Sequence, residues 1–407
     1  MISRIAVLSM HTSPRLQPGV GNAGGMNVYV DELAVEMARR GIHVVVFTRR
    51  FETGTEQIVT VSPRYTVVRI DAGPPSEIPM TDMANYADEF ADGVLRWITE
   101  SGLTFDIIHS HYWLSGRAGV KLKHALGIPL ANSFHTLGRV KDVNRRADEP
   151  ASPSIRMEIE LDTIAQSNCV IAATPYEFDD LLDHYCADPG RLCISPPGID
   201  HSLFRPGDKE TAREQLGWGA EHVLLCVGRI QSLKGFDIAV KTTADLLGRG
   251  LGAFRLVIVG GPSGPTGNDE LTMLRTLAAD LGIAHNVDFI DAKPHRTLPM
   301  FYRGAELLLM PSRSESFGLV AAEAQACALP VVAAAVGGLS YVVEDGESGV
   351  LIDGHDPSSF AAAIDKLLSS PEHHAAMREG AVAHAEQFSW DRTVERLLEL
   401  YDGISAS

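Results

Sequence analysis

Short, nearly continuous apolar runs recur along the chain, and stretches with helical periodicity separate them. This alternation constrains the fold more than any other feature. The runs are Ile5–Ser9, Val44–Phe47, Ile107–His109, Leu130–Ser133, Val170–Ala173, Val223–Val227, Leu256–Val259, Val287–Ile290, Leu307–Met310 and Pro330–Ala333. Parallel strands covered on both faces read this way. Between them, Val30, Leu33, Ala34 and Met37 follow the i, i+3, i+4, i+7 spacing of a helix that Gly41 is placed to end. Asp356-Pro357 is a cap and first turn for another helix, with Phe360, Ala363, Ile364 and Leu367 as its expected buried face. Strand–helix alternation predicts an α/β chain of doubly wound parallel sheets.

A length of 407 residues suggests two or three domains. Pro196-Pro197-Gly198 through Pro206-Gly207 breaks the pattern, with about five strand–helix units on each side. The expected division is residues 1–200, residues 201–387 and a closing segment 388–407. Two similar units then face each other across a cleft. Ser389 begins a last helix with Trp390, Val394, Leu397 and Tyr401 on its apolar face. That helix can pack on the second unit or cross back to the first.

Five cysteines, Cys169, Cys186, Cys193, Cys226 and Cys327, are odd in number and lack CxxC spacing, which argues against a disulfide framework or zinc site. Reduced thiols in a cytoplasmic protein are the expectation. A net charge of −17 argues against general affinity for nucleic acid or anionic membrane, so an anionic ligand needs a local basic pocket. The start, Met1 to Leu8, reads as a buried strand rather than a leader, and no apolar run is long enough to span a bilayer.

Gly19-Val20-Gly21-Asn22-Ala23-Gly24 matches GxGxxG, the fingerprint of dinucleotide binding. About nine residues separate the first strand from it, however, and the second strand ends in Arg49-Arg50 with no acid for a ribose. The better reading is a long loop whose last glycines, Gly24-Gly25, open a helix. Amides at a helix start bind anions, and glycine lets a phosphate approach. A plain glycine-rich surface loop fits this segment equally well when it is taken alone.

Arg229 and Lys234, in Gly228-Arg229-Ile230-Gln231-Ser232-Leu233-Lys234-Gly235, follow the run Val223–Val227. They sit where ligands bind in such folds, beyond the carboxyl end of a strand. Two fixed cations there suit a diphosphate leaving group. Glu315 and Glu323 follow Leu307–Met310, the first in a loop and the second expected about two turns into a helix. Carboxylates accept hydrogen bonds from neighbouring sugar hydroxyls. Each pair alone reads as solvated charge; the conjunction points to a nucleotide-sugar site. His109 and His111 share one strand face without a third ligand at suitable spacing, which favours structural histidines over a metal pair.

The segments GGMNVYV (24–30), HSHYWLSG (109–116), FHTL (134–137), VGRIQSLKG (227–235), VGGPSGP (259–265) and ESFGLVAAEA (315–324) together resemble the retaining glycosyltransferases of family 4, which have the two-Rossmann GT-B fold. Glu315 and Glu323 match that family's E-x7-E element. The likeness runs from about residue 4 to 402 and is strongest to the mycothiol branch, which moves N-acetylglucosamine from UDP-GlcNAc to inositol 3-phosphate. It implies a small-molecule donor and acceptor, no metal, no cofactor beyond the nucleotide sugar, no nucleic-acid partner and no stable membrane insertion; a homodimer is left open.

Residue by residue, the resemblance implies that Gly25 touches the donor diphosphate through its backbone, with Arg229 and Lys234 holding that group. Glu323 would bind the ribose and Glu315 the sugar hydroxyls, in a loop with Ser316, Phe317, Gly318 and Leu319. Lys293 falls where the family contacts the base. His11, Asn27, Tyr112, Thr136 and Arg156 match the cyclitol-phosphate site, and His135 the histidine near the reacting sugar. One position departs. The mycothiol branch carries a phosphate-binding lysine after the AGP segment, here Ala72-Gly73-Pro74, and an ungapped count to His109 places Met80 there. Losing a charged hydrogen bond costs about 1.5–3 kcal/mol. Asn22 and Met157 stand where aspartate and arginine are expected. A natural-product paralogue with an aminocyclitol or thiol acceptor is therefore the rival expectation. A non-catalytic binding protein or coupling enzyme on the same scaffold is a third, although all four second-half site residues are present.

Overall fold

The computed structural model describes all residues except 1, 20, 148, 251, 264–266 and 406–407. Met1, Val20 of the glycine loop and Gly264-Pro265 of the 259–265 segment thus lie outside the described residues.

Two sheets carry the fold. The first contains β1 (Arg4–Leu8), β2 (His43–Arg49), β3 (Ile58–Ser62), β4 (Tyr65–Ile70), β5 (Ile107–His111), β6 (Leu130–Ser133), β7 (Cys169–Ala172) and β8 (Leu192–Ile194), in the order β3-β4-β2-β1-β5-β6-β7-β8. The second contains β9 (His222–Val227), β10 (Phe254–Val259), β11 (Val287–Ile290), β12 (Leu307–Met310), β13 (Val331–Ala334) and β14 (Gly349–Ile352), in the order β11-β10-β9-β12-β13-β14. All described pairings are parallel except β3 with β4. Each sheet is buried on both faces by helices, as its continuous Val, Ile and Leu runs require.

Four strands escape the sequence pattern. The outermost, β3, alternates polar and apolar residues and is partly exposed, while β8 and β14 are short and only half-buried. β4 follows β3 after a two-residue turn, and its polar Thr66 and Arg69 interrupt the apolar run. The expected strand ends shift by at most two residues elsewhere; β5 extends through polar positions to His111, which pairs with Ser133. Helix Pro357–Leu368 starts at an Asp356 cap, but it buries Ala361 where Ala363 was expected; Ala363 is half-buried.

Strand order reverses between β1 and β5, and again between β9 and β12. Ligands bind at such switch points, outside the carboxyl ends of the strands. The two switch points face each other across the cleft. The chain crosses between domains twice, side by side: Ile199 bridges to Ser389, and its N–H donates to Phe388 O. The closing helix, Trp390–Ser405, returns to the first domain. It buries Trp390, Val394, Leu397 and Tyr401 among Ile5, Val7, Val30 and Leu33.

Candidate active site

Gly24 and Gly25 begin the first long helix, Gly25–Arg39. Its start faces the second domain: a Cβ on Gly24 would lie 3.2 Å from Arg229 Nε, and one on Gly25 3.3 Å from Leu319 Cδ1. Asn27 fixes the approach. Its Oδ1 accepts from Gly24 N at 2.8 Å, and its Nδ2 donates to Thr12 Oγ1 and Ser13 O. Both amide hydrogens of Asn27 are thus engaged within the loop, which makes it a brace in this state.

Three residues of the acceptor-side set are gathered beyond β1, β5 and β6. His11 is buried, its ring 4.5 Å from that of Tyr112, and its Nδ1 has no partner. Burial, followed by the charges of Arg229, His135 and Arg156, pushes its pKa down to about 3. Tyr112 has φ +77° and His135 φ +61°, a region that costs side-chain-bearing residues about 1–3 kcal/mol and recurs at functional sites. Arg156 lies 5.2 Å from the Tyr112 ring centroid, pairs with the buried Glu160 at 2.7 Å and donates to Thr136 O and Oγ1. Met80 is half-buried against the first core and opens the short helix Met80–Met83. The preceding loop is held by the fully buried Arg49, whose guanidinium donates to the carbonyls of Ala72, Pro74 and Ser76.

In the second domain, Arg229 and Lys234 follow β9 and turn toward the cleft. Arg229 reaches Ser263 Oγ at 3.5 Å, and that hydroxyl donates across the cleft to Gly21 O at 2.6 Å. Gly235, at φ +66°, closes the turn; a Cβ there would sit 1.9 Å from Pro311 O, so no other residue fits without a shift. Arg313 ties the two loops together through Asp237, at 3.0 and 2.9 Å. Lys234 Nζ meets Glu315 Oε2 at 2.5 Å, so two residues with separate expected roles are one ion pair here.

The segment 315–319 lines the crevice. Ser316 Oγ donates to His135 O across the cleft at 2.5 Å, Phe317 packs edge-on against Phe388, and Gly318 at φ +104° caps helix Leu319–Ala326. Because that helix starts only at Leu319, Glu323 lies about one turn in rather than two. It is buried and already engaged: Oε1 meets His295 Nε2 at 2.6 Å, and Oε2 accepts from Tyr302 OH at 2.9 Å. Burial alone would lower the His295 pKa, but the Glu323 carboxylate outweighs it and the shift is upward. Lys293 is exposed, in a segment whose Ala292 O accepts from Gln17 Nε2 at 3.2 Å. Among the described residues no group of three or more His, Cys, Asp or Glu could hold a metal ion, and no helix is long and apolar enough to cross a membrane.

Comparison with known proteins adds a second line of observation. Residues 23–203 match the model for Glycosyltransferase Family 4, and 208–384 the model for Glycosyl transferases group 1. The chain is 46% identical to a D-inositol 3-phosphate glycosyltransferase of Acidothermus cellulolyticus, over 98% of this chain and 90% of that one. It is 43% identical to the enzyme of that name from Rhodococcus opacus, again over 98% and 90%. The chain belongs to the family 4 glycosyltransferases.

Its GT-B fold matches that of a sucrose-phosphate synthase from Thermosynechococcus elongatus, with TM-score 0.91, 29% identity and 99% of each chain covered. A HepE protein of Anabaena solved with UDP and glucose has TM-score 0.78 at 19% identity, covering 99% of this chain and all of that one. Several groups of this glycosyltransferase site escape the sequence reading. His295, Tyr302, Ser263, Arg313 and the packing of Tyr29 against His135, 5.0 Å between rings, are examples. Ser263, His295 and Arg313 carried a usable signal, since they fall in the loops beyond β10, β11 and β12, where ligand-side residues are expected.

Proposed function

We propose that this glycosyltransferase moves N-acetylglucosamine from UDP-GlcNAc to inositol 3-phosphate with retention at the anomeric carbon. One observation carries the reading: the start of the first helix, Arg229 and Lys234 converge on a single cleft. Amide N–H groups, a guanidinium and an ammonium are the groups that stabilise a departing diphosphate. The acceptor named for the relatives, D-inositol 3-phosphate, and the cationic Arg156 beside Thr136 and Tyr112 support a phosphorylated cyclitol. The division of labour follows: residues 1–200 bind the acceptor and residues 201–387 the donor.

In this mechanism the acceptor hydroxyl attacks from the face that the diphosphate leaves. The departing phosphate oxygen takes the hydroxyl proton, so no strong protein base is needed. The protein supplies orientation and charge stabilisation. Glu315 orients the sugar hydroxyls, and Glu323 the ribose, once each yields its present partner. His135 faces the donor sugar.

Met80 favours a second reading. An apolar side chain packed on the core offers an acceptor phosphate nothing, which suits an unphosphorylated aminocyclitol or a thiol. Mass spectrometry of products from UDP-GlcNAc, UDP-glucose and GDP-mannose, each with inositol 3-phosphate, an aminocyclitol and a low-molecular-weight thiol, separates the two. A GlcNAc-inositol phosphate product is expected; product only with unphosphorylated acceptors would overturn the first reading in favour of the second.

A further inference from the structure

A line of histidines, buried at His109 and His111 and half-buried at His135, runs from the closing helix to the cleft, and the mechanism above uses only its last member. Tyr401 OH meets His109 Nδ1 at 2.6 Å, and His109 Nε2 meets Ser133 Oγ at 3.0 Å. The His109 ring lies 4.1 Å from that of His111. His111 Nδ1 in turn meets His135 Nε2 at 2.9 Å. The register of β5 and β6 creates this contact, since His111 pairs with Ser133 and His135 follows two residues later. Tyr29 packs against both rings, at 5.6 and 5.0 Å.

All three imidazoles are neutral near pH 7. Burial pushes His109 and His135 down to about 3 and His111 well below its usual value. A neutral imidazole carries one proton, so one nitrogen donates and the other accepts. The contact between His111 and His135 then has two possible arrangements. If His135 donates from Nε2, His111 must hold its own proton on Nε2. That atom is buried without any hydrogen-bond partner. A sealed N–H with no acceptor is among the rarest defects of folded proteins, whereas a bare lone pair is tolerated better. If His111 donates from Nδ1 instead, only a lone pair is left unmet. His135 then accepts at Nε2 and holds its proton on Nδ1.

The ring of His135 is half-buried at the cleft wall, and its backbone carbonyl accepts from Ser316 of the other domain. Its Nδ1 is neither hydrogen-bonded nor sealed among the described residues. We infer that His111 is a positioning residue that fixes the tautomer of His135, so that His135 presents an N–H donor, not a basic lone pair, to an oxygen of the sugar substrate. His109, anchored by Tyr401 and Ser133, packs at a 43° tilt against His111 and limits its rotation. The closing helix thus supports the His111 ring from behind, through Tyr401 and His109. The inference rests on the reading that His135 faces the donor sugar.

The parent protein, labelled with 15N-histidine, supplies the direct test by long-range proton–nitrogen NMR, with His135→Phe identifying the His135 signals. The expected pattern is a protonated Nδ1 and a bare Nε2 on His135; a proton on Nε2 would overturn the inference whatever the variants do. In His111→Phe the fixed pattern should be lost, and kcat should fall on the order of 10-fold with the acceptor KM within about 2-fold. His111→Asn, whose amide keeps a donor near the same place, should restore most of the rate. Parental kcat in a His111→Phe protein with an unchanged melting temperature would overturn the role. Parental turnover by His135→Phe would instead remove the placement of His135 at the sugar and leave the tautomer result standing.

Discussion

Replacing Lys234 with methionine removes one of the two cations at the cleft and keeps most of the side-chain volume. The structure bounds its effect on folding. Lys234 and Glu315 form a 2.5 Å pair with 22% and 17% of their side chains exposed. Solvent screens such a pair, and losing it should cost about 1 kcal/mol or less, a few degrees of melting temperature. The effect on chemistry is of another size. Removing one preorganised donor from a site of developing charge costs about 10²–10³ in kcat, or about 2.7–4 kcal/mol. The variant also leaves Glu315 uncompensated where a diphosphate must gain charge. Unit charges about 4 Å apart at an effective dielectric near 20 interact by roughly 4 kcal/mol, so Lys234→Met should fall at the severe end of that range. The assay is nucleotide release at saturating acceptor, with thermal unfolding alongside. Glu315→Gln and the double variant complete a cycle. The double variant removes the uncompensated carboxylate, so it should recover rate relative to Lys234→Met. Glu315→Gln alone, with Lys234 kept, reads the orienting role, and a parental rate there means that Glu315 acts only through the lysine. Turnover of Lys234→Met within a few-fold of the parent, in a folded protein, refutes the electrostatic argument itself.

Two other predictions concern the molecule as a whole. Burial first, then the carboxylates of Asp200 and Asp31, raise Glu32 to about 7; a raised carboxyl stabilises the fold fully below about pH 4.5 and loses that contribution as pH rises through 7. Glu32→Gln should therefore flatten stability against pH across this window and gain on the order of 1–3 kcal/mol at pH 8, by denaturant titration; an unaltered profile refutes the assignment. Arg146 joins the first domain to the buried Glu270 of the second through contacts of 2.8 and 3.4 Å. Glu270→Gln should enlarge the radius of gyration of the free protein in small-angle scattering, with UDP reversing the change; an unchanged radius counts against a latch at the cleft rim.

The parts of the fold legible in the sequence are those decided by burial alone. Leu307–Met310 is a strand to the residue, because a central parallel strand is apolar on both faces; Leu130–Ser133 and the edge strand Val287–Ile290 also match to the residue, although each includes polar positions. β3 is hidden because an edge strand half in water carries the same alternation as many loops. Positions of the site residues were legible wherever a strand end announces them, as for Arg229 after β9 and Glu315 after β12. Their partners were not. Glu323 meets His295 from a loop and Tyr302 from a different helix, and no local spacing encodes that meeting. The contact of His111 with His135 likewise depends on the register of two adjacent strands.

The return of the closing helix makes the second domain an insertion within the first. Its two junctions touch, with Ile199 beside Ser389 and Thr393 Oγ1 donating to Pro196 O at 2.8 Å. Entry and exit of the inserted half therefore occupy almost one point. A second domain spliced in at these neighbouring ends would need no linker to span, so exchanging that domain between relatives becomes a cassette problem rather than a terminal fusion.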